Sequence, residues 1–441
     1  MSSGIPIGEI ASRTLRALEG EGYEAAVLVE AEKSLMIKLA RGEISVTQSW
    51  NSLRTHVYVA KNKRMGVYTS TSPEPWRDLL ESARLLSFAE ESPLYAPLPE
   101  PTGASLSRVD EKIVEAVDTG DASFVIEDLE LDNVGDAAGM VLLEHNVKHL
   151  VTSAGADLSH ESTRFNGYLR VFRGSASGQW SWTSTVYEPA TAKRAIGQAI
   201  ELAEECAKLP RTKIEGGEYR ILLGPMVAGN LLGEVVEAAS AGMVLFGMSF
   251  LHSAKVGERV ASEKLTIEDR PRDTSLPNFR GFDDEGVATQ DKPIIERGEF
   301  KGFLHNSKTA RVMKASSTGN AGWLIPTAFN IHVGAGDLKS TDILEALYDG
   351  VYITNNWYTR FQNYLEGEFS TVSRDAVIIV KRGEPAGCVE RIRIADKLPR
   401  ILSNIEDLSR DRWPIQWWEV RLPTLTPFVL IARARLSVAG P

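Results

Sequence analysis

Three short stretches gather side chains able to do chemistry. Asp283-Asp284-Glu285-Gly286 packs three acids into four residues, a density that would suit a paired-carboxylate site or an oxygen-ligand cation site. The acids are consecutive, whereas an EF-hand loop spaces its ligands at every second position. Acid runs before glycine are most often solvated turns or caps, so a local structural or interface role is the stronger reading. Ser317-Thr318-Gly319-Asn320 offers hydroxyls and backbone amides in a tight turn, fit either to touch a peptide main chain or simply to turn the chain. Glu234 and Glu237 stand three apart within Leu231-Leu232-Gly233-Glu234-Val235-Val236-Glu237-Ala238, on one face of an expected helix. A glutamate can act as general base on metal-bound water, but free water keeps a pKa near 15.7 and gives it little to activate.

Other candidates fall away on spacing. His160-Glu161 is followed by Ser162-Thr163-Arg164-Phe165, so no second histidine completes a zinc motif. His252 and His305 are isolated, and lone histidines are more often structural than ligating. The sequence has no GxSxG elbow and no phosphate-binding loop. Gly334-Ala335-Gly336 lacks the third glycine of a dinucleotide fingerprint. A metal-independent hydrolase built on Asp283, Asp284 or Ser316-Ser317 would lack the histidine that activates a serine.

The elements around these residues read as α+β. Ile10, Leu15 and Leu18 share one side of a first helix that Gly20-Glu21-Gly22 ends. Strand-like runs follow at 25–29 and 35–39, then a hairpin from 53–60 to Gly66-Val67-Tyr68-Thr69 across Lys61-Asn62-Lys63-Arg64. A helix is expected over 75–88, and a loop over 92–103 with Pro93, Pro97, Pro99 and Pro101. The unit recurs. Thr69 and Glu74-Pro75 return as Thr183 and Glu188-Pro189, at one offset: 183 − 69 = 188 − 74 = 114. Val57-Tyr58 then falls on Val171-Phe172, and the pattern reads as an internal strand-and-helix duplication.

The boundary is expected near 210–217, giving an N-terminal α/β domain (1–212) and a C-terminal β-rich mixed domain (213–441). In the latter, strands are expected at 299–304, 329–333, 376–380, 390–394 and 428–438. Helices are expected at 227–241, 309–315, 341–349 and 398–405.

Composition narrows the function classes. Of 441 residues, 43% are hydrophobic and 24% charged, as in a globular chain with a real core. A net charge of −10 without a Lys/Arg run argues against nucleic-acid or anionic-membrane binding. Two cysteines, Cys206 and Cys388, make neither a disulfide framework nor a Cys-based metal motif. The sequence shows neither a spanning apolar run nor a signal pattern, so the cytoplasm is the expected compartment.

An ordered set of motifs carries a more specific resemblance: Gly257-Glu258-Arg259-Val260-Ala261-Ser262, Arg280-Gly281-Phe282-Asp283-Asp284-Glu285-Gly286-Val287, Ile295-Glu296-Arg297-Gly298, Ser317-Thr318-Gly319-Asn320 and Phe329-Asn330-Ile331-His332-Val333-Gly334. In order and spacing this half resembles the TldD/TldE (PmbA) family, whose paired subunits form an intracellular metalloprotease. Gly42-Glu43-Ile44 and Gly66-Val67-Tyr68-Thr69-Ser70 extend the likeness more loosely. Zinc-bearing members read Leu-Leu-His-Glu-x-x-x-His where this chain has residues 231–238. On that pattern Gly233 and Ala238 take the histidine places and only Glu234 survives. The 413–418 region, where such members supply a cysteine ligand, reads Trp-Pro-Ile-Gln-Trp-Trp. A catalytic zinc needs about three protein ligands.

The resemblance therefore implies a zinc-free TldE/PmbA-type subunit that pairs with a zinc-bearing TldD-type paralogue and helps present unstructured peptides. No cofactor is expected in this chain. The alternative is a free-standing peptide-binding or regulatory homodimer. Glu234 is a weak catalytic candidate. Asp283, Asp284, Ser317, Thr318 and Asn320 are substrate or interface candidates. Trp417 and Trp418 are the expected dimer anchors within the aromatic 413–428 segment, because desolvated aromatics often dominate interfaces.

Overall fold

A computed structural model describes residues 5–438. The first half runs α1 (Ile7–Glu19), β1 (Glu24–Ala40), β2 (Glu43–Lys61), β3 (Arg64–Ser70), α2 (Trp76–Arg84), β4 (Leu106–Arg108), α3 (Glu111–Thr119) and α4 (Ser123–Leu129). It continues through β5 (Ala137–Thr152), β6 (Asp157–Arg173), β7 (Ala176–Ser184) and α5 (Pro189–Lys208). These seven strands form one sheet in the order β3-β2-β1-β5-β6-β4, with β7 on β6. The two strand-like runs at 25–29 and 35–39 are one continuous strand, β1. Its middle residues 30–34 are polar or small, yet they stay in register with both β2 and β5. Asn62 and Lys63 turn the β2–β3 hairpin with positive φ, as a two-residue loop requires.

The duplication is real, but its register differs from the sequence match. Ala60 faces Met65 in the first hairpin and Phe172 faces Ser177 in the second, so the hairpins repeat at 172 − 60 = 177 − 65 = 112. The prolines at the two helix starts, Pro75 and Pro189, repeat at 114. The second connection is two residues longer, so Tyr68-Thr69-Ser70 corresponds to Trp180-Ser181-Trp182. The central ladder obeys the same symmetry. Lys33 faces His145 across β1 and β5, and 145 − 33 = 112, so a pseudo-twofold axis passes through that pair.

The second half comprises β8 (Arg211–Thr212), β9 (Gly217–Leu223), α6 (Pro225–Ala238), α7 (Ala241–Leu245), β10 (Ile267–Asp269), β11 (Lys292–Glu296), β12 (Glu299–Phe300), α8 (Ser307–Met313) and β13 (Ile331–Val333). It ends with α9 (Ile343–Leu347), β14 (Gly350–Asn363), β15 (Glu368–Lys381), β16 (Glu384–Val389), β17 (Ile392–Lys397), α10 (Leu398–Ser403), β18 (Ile405–Trp417) and β19 (Val420–Val438). Twelve strands form a mixed sheet around β19, which meets β9, β13, β17 and β18. The expected strand at 299–304 is only the two-residue β12; the chain then leaves the sheet, with Phe300 packing edge-on against Phe303 at 4.7 Å. One buried cluster joins the two sheets. Trp180 of β7 packs edge-on against Trp413 of β18 at 4.8 Å, and Cys206 of α5 is disulfide-bonded to Cys388 of β16.

Candidate functional site: a cavity against α6

Helix α6 begins with Pro225 after Gly224, where a fixed φ and a missing N–H suit the first turn. Met226, Val227, Leu231, Val235 and Val236 bury it against the mixed sheet. The remaining stripe of Asn230, Gly233, Glu234 and Glu237 faces a cavity of about 300 Å³, closed by residues 325–328 and by the β18–β19 turn at 419–422. Its walls are firmly held. Asn230 Nδ2 donates to the Glu419 carbonyl at 2.7 Å, and its Oδ1 accepts from Asn356 and Thr359, both at 2.7 Å. Ser240 Oγ donates to the Pro326 carbonyl at 2.8 Å, fixing the opposite wall.

Glu234 is the chemically unusual residue. Burial in this apolar surround, reinforced by the charge of Glu237, pushes its carboxyl up to about 7. Arg421 leans over the mouth, 3.7 Å from Glu234 and hydrogen-bonded to Glu237, with its side chain 66% exposed. The cavity thus offers a carboxyl raised towards neutrality, beside an exposed cation and an apolar wall. That arrangement suits the N–H or ammonium of a ligand.

Positions 233 and 238 do not supply metal ligands. A Cβ at Gly233 would meet nothing within 4 Å, so that place opens into the cavity but bears no donor. Ala238 is buried, and its carbonyl already accepts from Ser249 Oγ at 2.6 Å. The two cysteines are bonded to each other, away from α6. Among the described residues no group of three or more His, Cys, Asp or Glu side chains stands close enough to hold a metal. The donor set does not fit a His-His-thiolate zinc site.

The acidic triplet lies elsewhere and is not a solvated turn. Asp283, Asp284 and Glu285 are all buried. Asp283 Oδ1 accepts from the amides of Glu285 (3.0 Å) and Val287 (2.9 Å), and Oδ2 accepts from Ala321 (2.8 Å). Burial, then the neighbouring Glu285 charge, pushes its carboxyl up to about 7. Asp284 pairs with Arg280 at 2.9 Å. Glu285 meets Lys308 at 2.6 Å, each side chain only 3% exposed, and also takes the amide and hydroxyl of Ser307. Every acid is occupied by a structural partner, so a paired-carboxylate site is not available here.

The 317–320 turn is a brace for the cavity wall. Thr318 Oγ1 receives the amide of His305 at 2.8 Å and donates to Asn320 Oδ1 at 2.8 Å. Asn320, fully buried, donates to Asp269 at 2.6 Å and to the Thr327 carbonyl at 2.8 Å. Ser317 is half-buried and accepts from the Gly319 amide at 3.3 Å.

Trp417 and Trp418 part company. Trp417 is 5% exposed and sits in the core with Trp180, Trp413 and Phe428, which corrects its assignment to a dimer surface. Trp418, at the β18–β19 turn, is 64% exposed. Three cavity residues carry no sequence signal: Asn230 on α6, and Glu419 and Arg421, which reach that helix only through the strand pairings that place β18 and β19 beside it.

Two family models match the chain. Residues 216–439 match the PmbA/TldA metallopeptidase C-terminal domain and residues 25–87 match the PmbA/TldA metallopeptidase domain 1. The metalloprotease PmbA of Escherichia coli O157:H7 is 24% identical over 443 aligned positions, covering 95% of each chain. A metalloprotease of Archaeoglobus fulgidus is 31% identical over 218, covering 47% of this chain and 50% of its own. The chain spans about half the length of several such metalloproteases that it matches. The crystal structure of TldE from Thermococcus kodakarensis shares the fold with a TM-score of 0.80 at 19% identity, covering 97% of this chain and all of that one.

Proposed function

Since the chain belongs to the PmbA/TldD metallopeptidase family, we propose that it is the non-metal-binding, TldE/PmbA-type subunit of a metalloprotease acting on unstructured peptides. The carrying observation is the α6 cavity. Its walls are intact, yet Gly233 leaves an open place without a donor, and Ala238 is inert. In this reading zinc and the water-activating chemistry come from a zinc-bearing paralogue. This chain, with residues 1–212 and 213–441 as its two domains, supplies surface and peptide-positioning groups. In this reading the compartment is the cytoplasm. Among the described residues no helix is long and apolar enough to cross a membrane.

The test has two arms. Purified alone, the chain should bind less than stoichiometric zinc and leave unstructured peptides uncut. Co-expressed with a zinc-bearing homologue, it should co-purify in a complex that holds zinc and cuts them. One tight zinc per isolated chain, or peptide cleavage by the isolated chain, would sink the proposal.

A further inference from the structure

A second cavity, of about 340 Å³, lies between the first sheet and the 277–280 segment, and three of its lining residues, Thr327, Ala328 and Leu422, also line the α6 cavity. The two spaces have that wall in common. The second is polar where the first is apolar, and it collects buried polar atoms without protein partners. Asn146 gives its Nδ2 to Glu30 at 2.8 Å, leaving Oδ1 buried and unmatched. His160, 2% exposed, has no partner at Nδ1. Burial, with the charges of Arg280 and Lys148, pushes that imidazole down to about 3, so the ring is neutral at neutral pH, with one nitrogen a donor and the other an acceptor. Arg280 binds Asp284 through Nη2 and has no partner at Nε. Glu144, most of whose side chain is buried, is ion-paired to Arg164 at 3.6 Å without a direct hydrogen bond between them.

Leaving one such group unmatched costs about 1–3 kcal/mol. Several in one cavity mean that something polar fills it. The space exceeds several waters at about 30 Å³ each. The unmatched groups are of mixed kind, acceptors at Asn146 and His160 facing the Arg280 Nε–H, and beside them stand the Glu144 carboxyl, ion-paired to Arg164, and Lys148. A ligand matching that set carries a cationic donor and an acceptor a few bonds apart. We propose that this cavity binds the α-amino end of an amino acid or peptide. The ammonium sits against Glu144 and Asn146 Oδ1, and the first carbonyl oxygen against Arg280 Nε. For a peptide, the next amide faces His160 Nδ1 and the chain continues past Thr327 and Ala328 towards α6. The inference concerns this chain alone and does not rest on a zinc-bearing partner.

The experiment is calorimetric titration of the full chain with trialanine, N-acetyl-trialanine and free alanine, repeated on Glu144→Gln with circular dichroism as a folding control. Trialanine should bind, and acetylation should weaken it about tenfold or more, since a buried charge-assisted hydrogen bond is lost. Glu144→Gln should produce a similar loss. Equal affinity for free alanine would make it an amino-acid pocket, and weaker affinity a peptide-end pocket; either supports the proposal. No binding by trialanine or alanine would mean that solvent alone fills the cavity and would overturn it. So would binding that is indifferent to acetylation, a readout that needs no protein variant to fold.

Discussion

Two acidic regions of this molecule contain the same residue types and have opposite fates. The 283–285 loop buries three carboxylates and matches each with backbone amides, arginine or lysine. Helix α6 leaves Glu234 beside an open cavity, with Glu237 on the same helix and an exposed arginine 3.7 Å away. Both Asp283 and Glu234 have carboxyls pushed up to about 7, chiefly by burial. A raised carboxyl pKa therefore does not by itself mark a functional group; the presence of unfilled space beside it separates the two.

The largest expected effect breaks the matched region. Lys308 lies under the ring of Tyr58, its Nζ 4.3 Å from the centroid, and neutralises Glu285. Lys308→Met leaves that charge buried alone and should cost about 3–5 kcal/mol in denaturant unfolding. A change below about 1 kcal/mol would show the pair to be dispensable. Close behind is the tryptophan contrast. Trp417→Ala should lose about 3–5 kcal/mol of stability as a core truncation. Trp418→Ala should keep stability within about 0.5 kcal/mol and weaken subunit association by about 2 kcal/mol, read by sedimentation.

Amide replacements should divide the two acids. Folded Glu234 keeps its proton up to about pH 7, whereas the unfolded side chain loses it near 4.5. The folded state binds more protons in that window, so stability is full below about 4.5 and falls as pH rises through 7. Glu234→Gln should abolish this fall, matching wild type near pH 4 and exceeding it by about 1–3 kcal/mol near pH 8. Asp283→Asn turns an NH2 towards backbone donors and should cost about 1–3 kcal/mol near pH 5. The deficit should narrow at higher pH, because the wild-type carboxyl must then ionise. Equal stability of the two variants relative to wild type near pH 5 would erase the distinction. The smallest effect is at Gly233. With open space around its Cβ, Gly233→Ala should gain about 0.5–1 kcal/mol from helix propensity alone, and a loss in thermal melts would mean that the helix needs that glycine.

Local signals gave much of this in advance. The hydrophobic stripe of α1, the Pro75 and Pro189 helix starts, and the β2–β3 turn depend on neighbours a few residues apart, so the chain alone specifies them. The same holds for the missing donors at Gly233 and Ala238, since a side chain's chemistry is fixed by its identity. The repeat was visible too, but its register of 112 is set by cross-strand pairing, which no linear match reports. Continuous β1 was hidden because polar residues interrupt its apolar pattern while both neighbouring strands hold it in place. Only the tertiary structure decided which acids are matched, which tryptophan is exposed, and which wall two cavities share. Those outcomes depend on contacts such as Ala321 to Asp283, Arg421 to Glu237 and Trp180 to Trp413. They join residues tens to hundreds of positions apart, and burial and hydrogen-bond satisfaction arise only when such segments pack together.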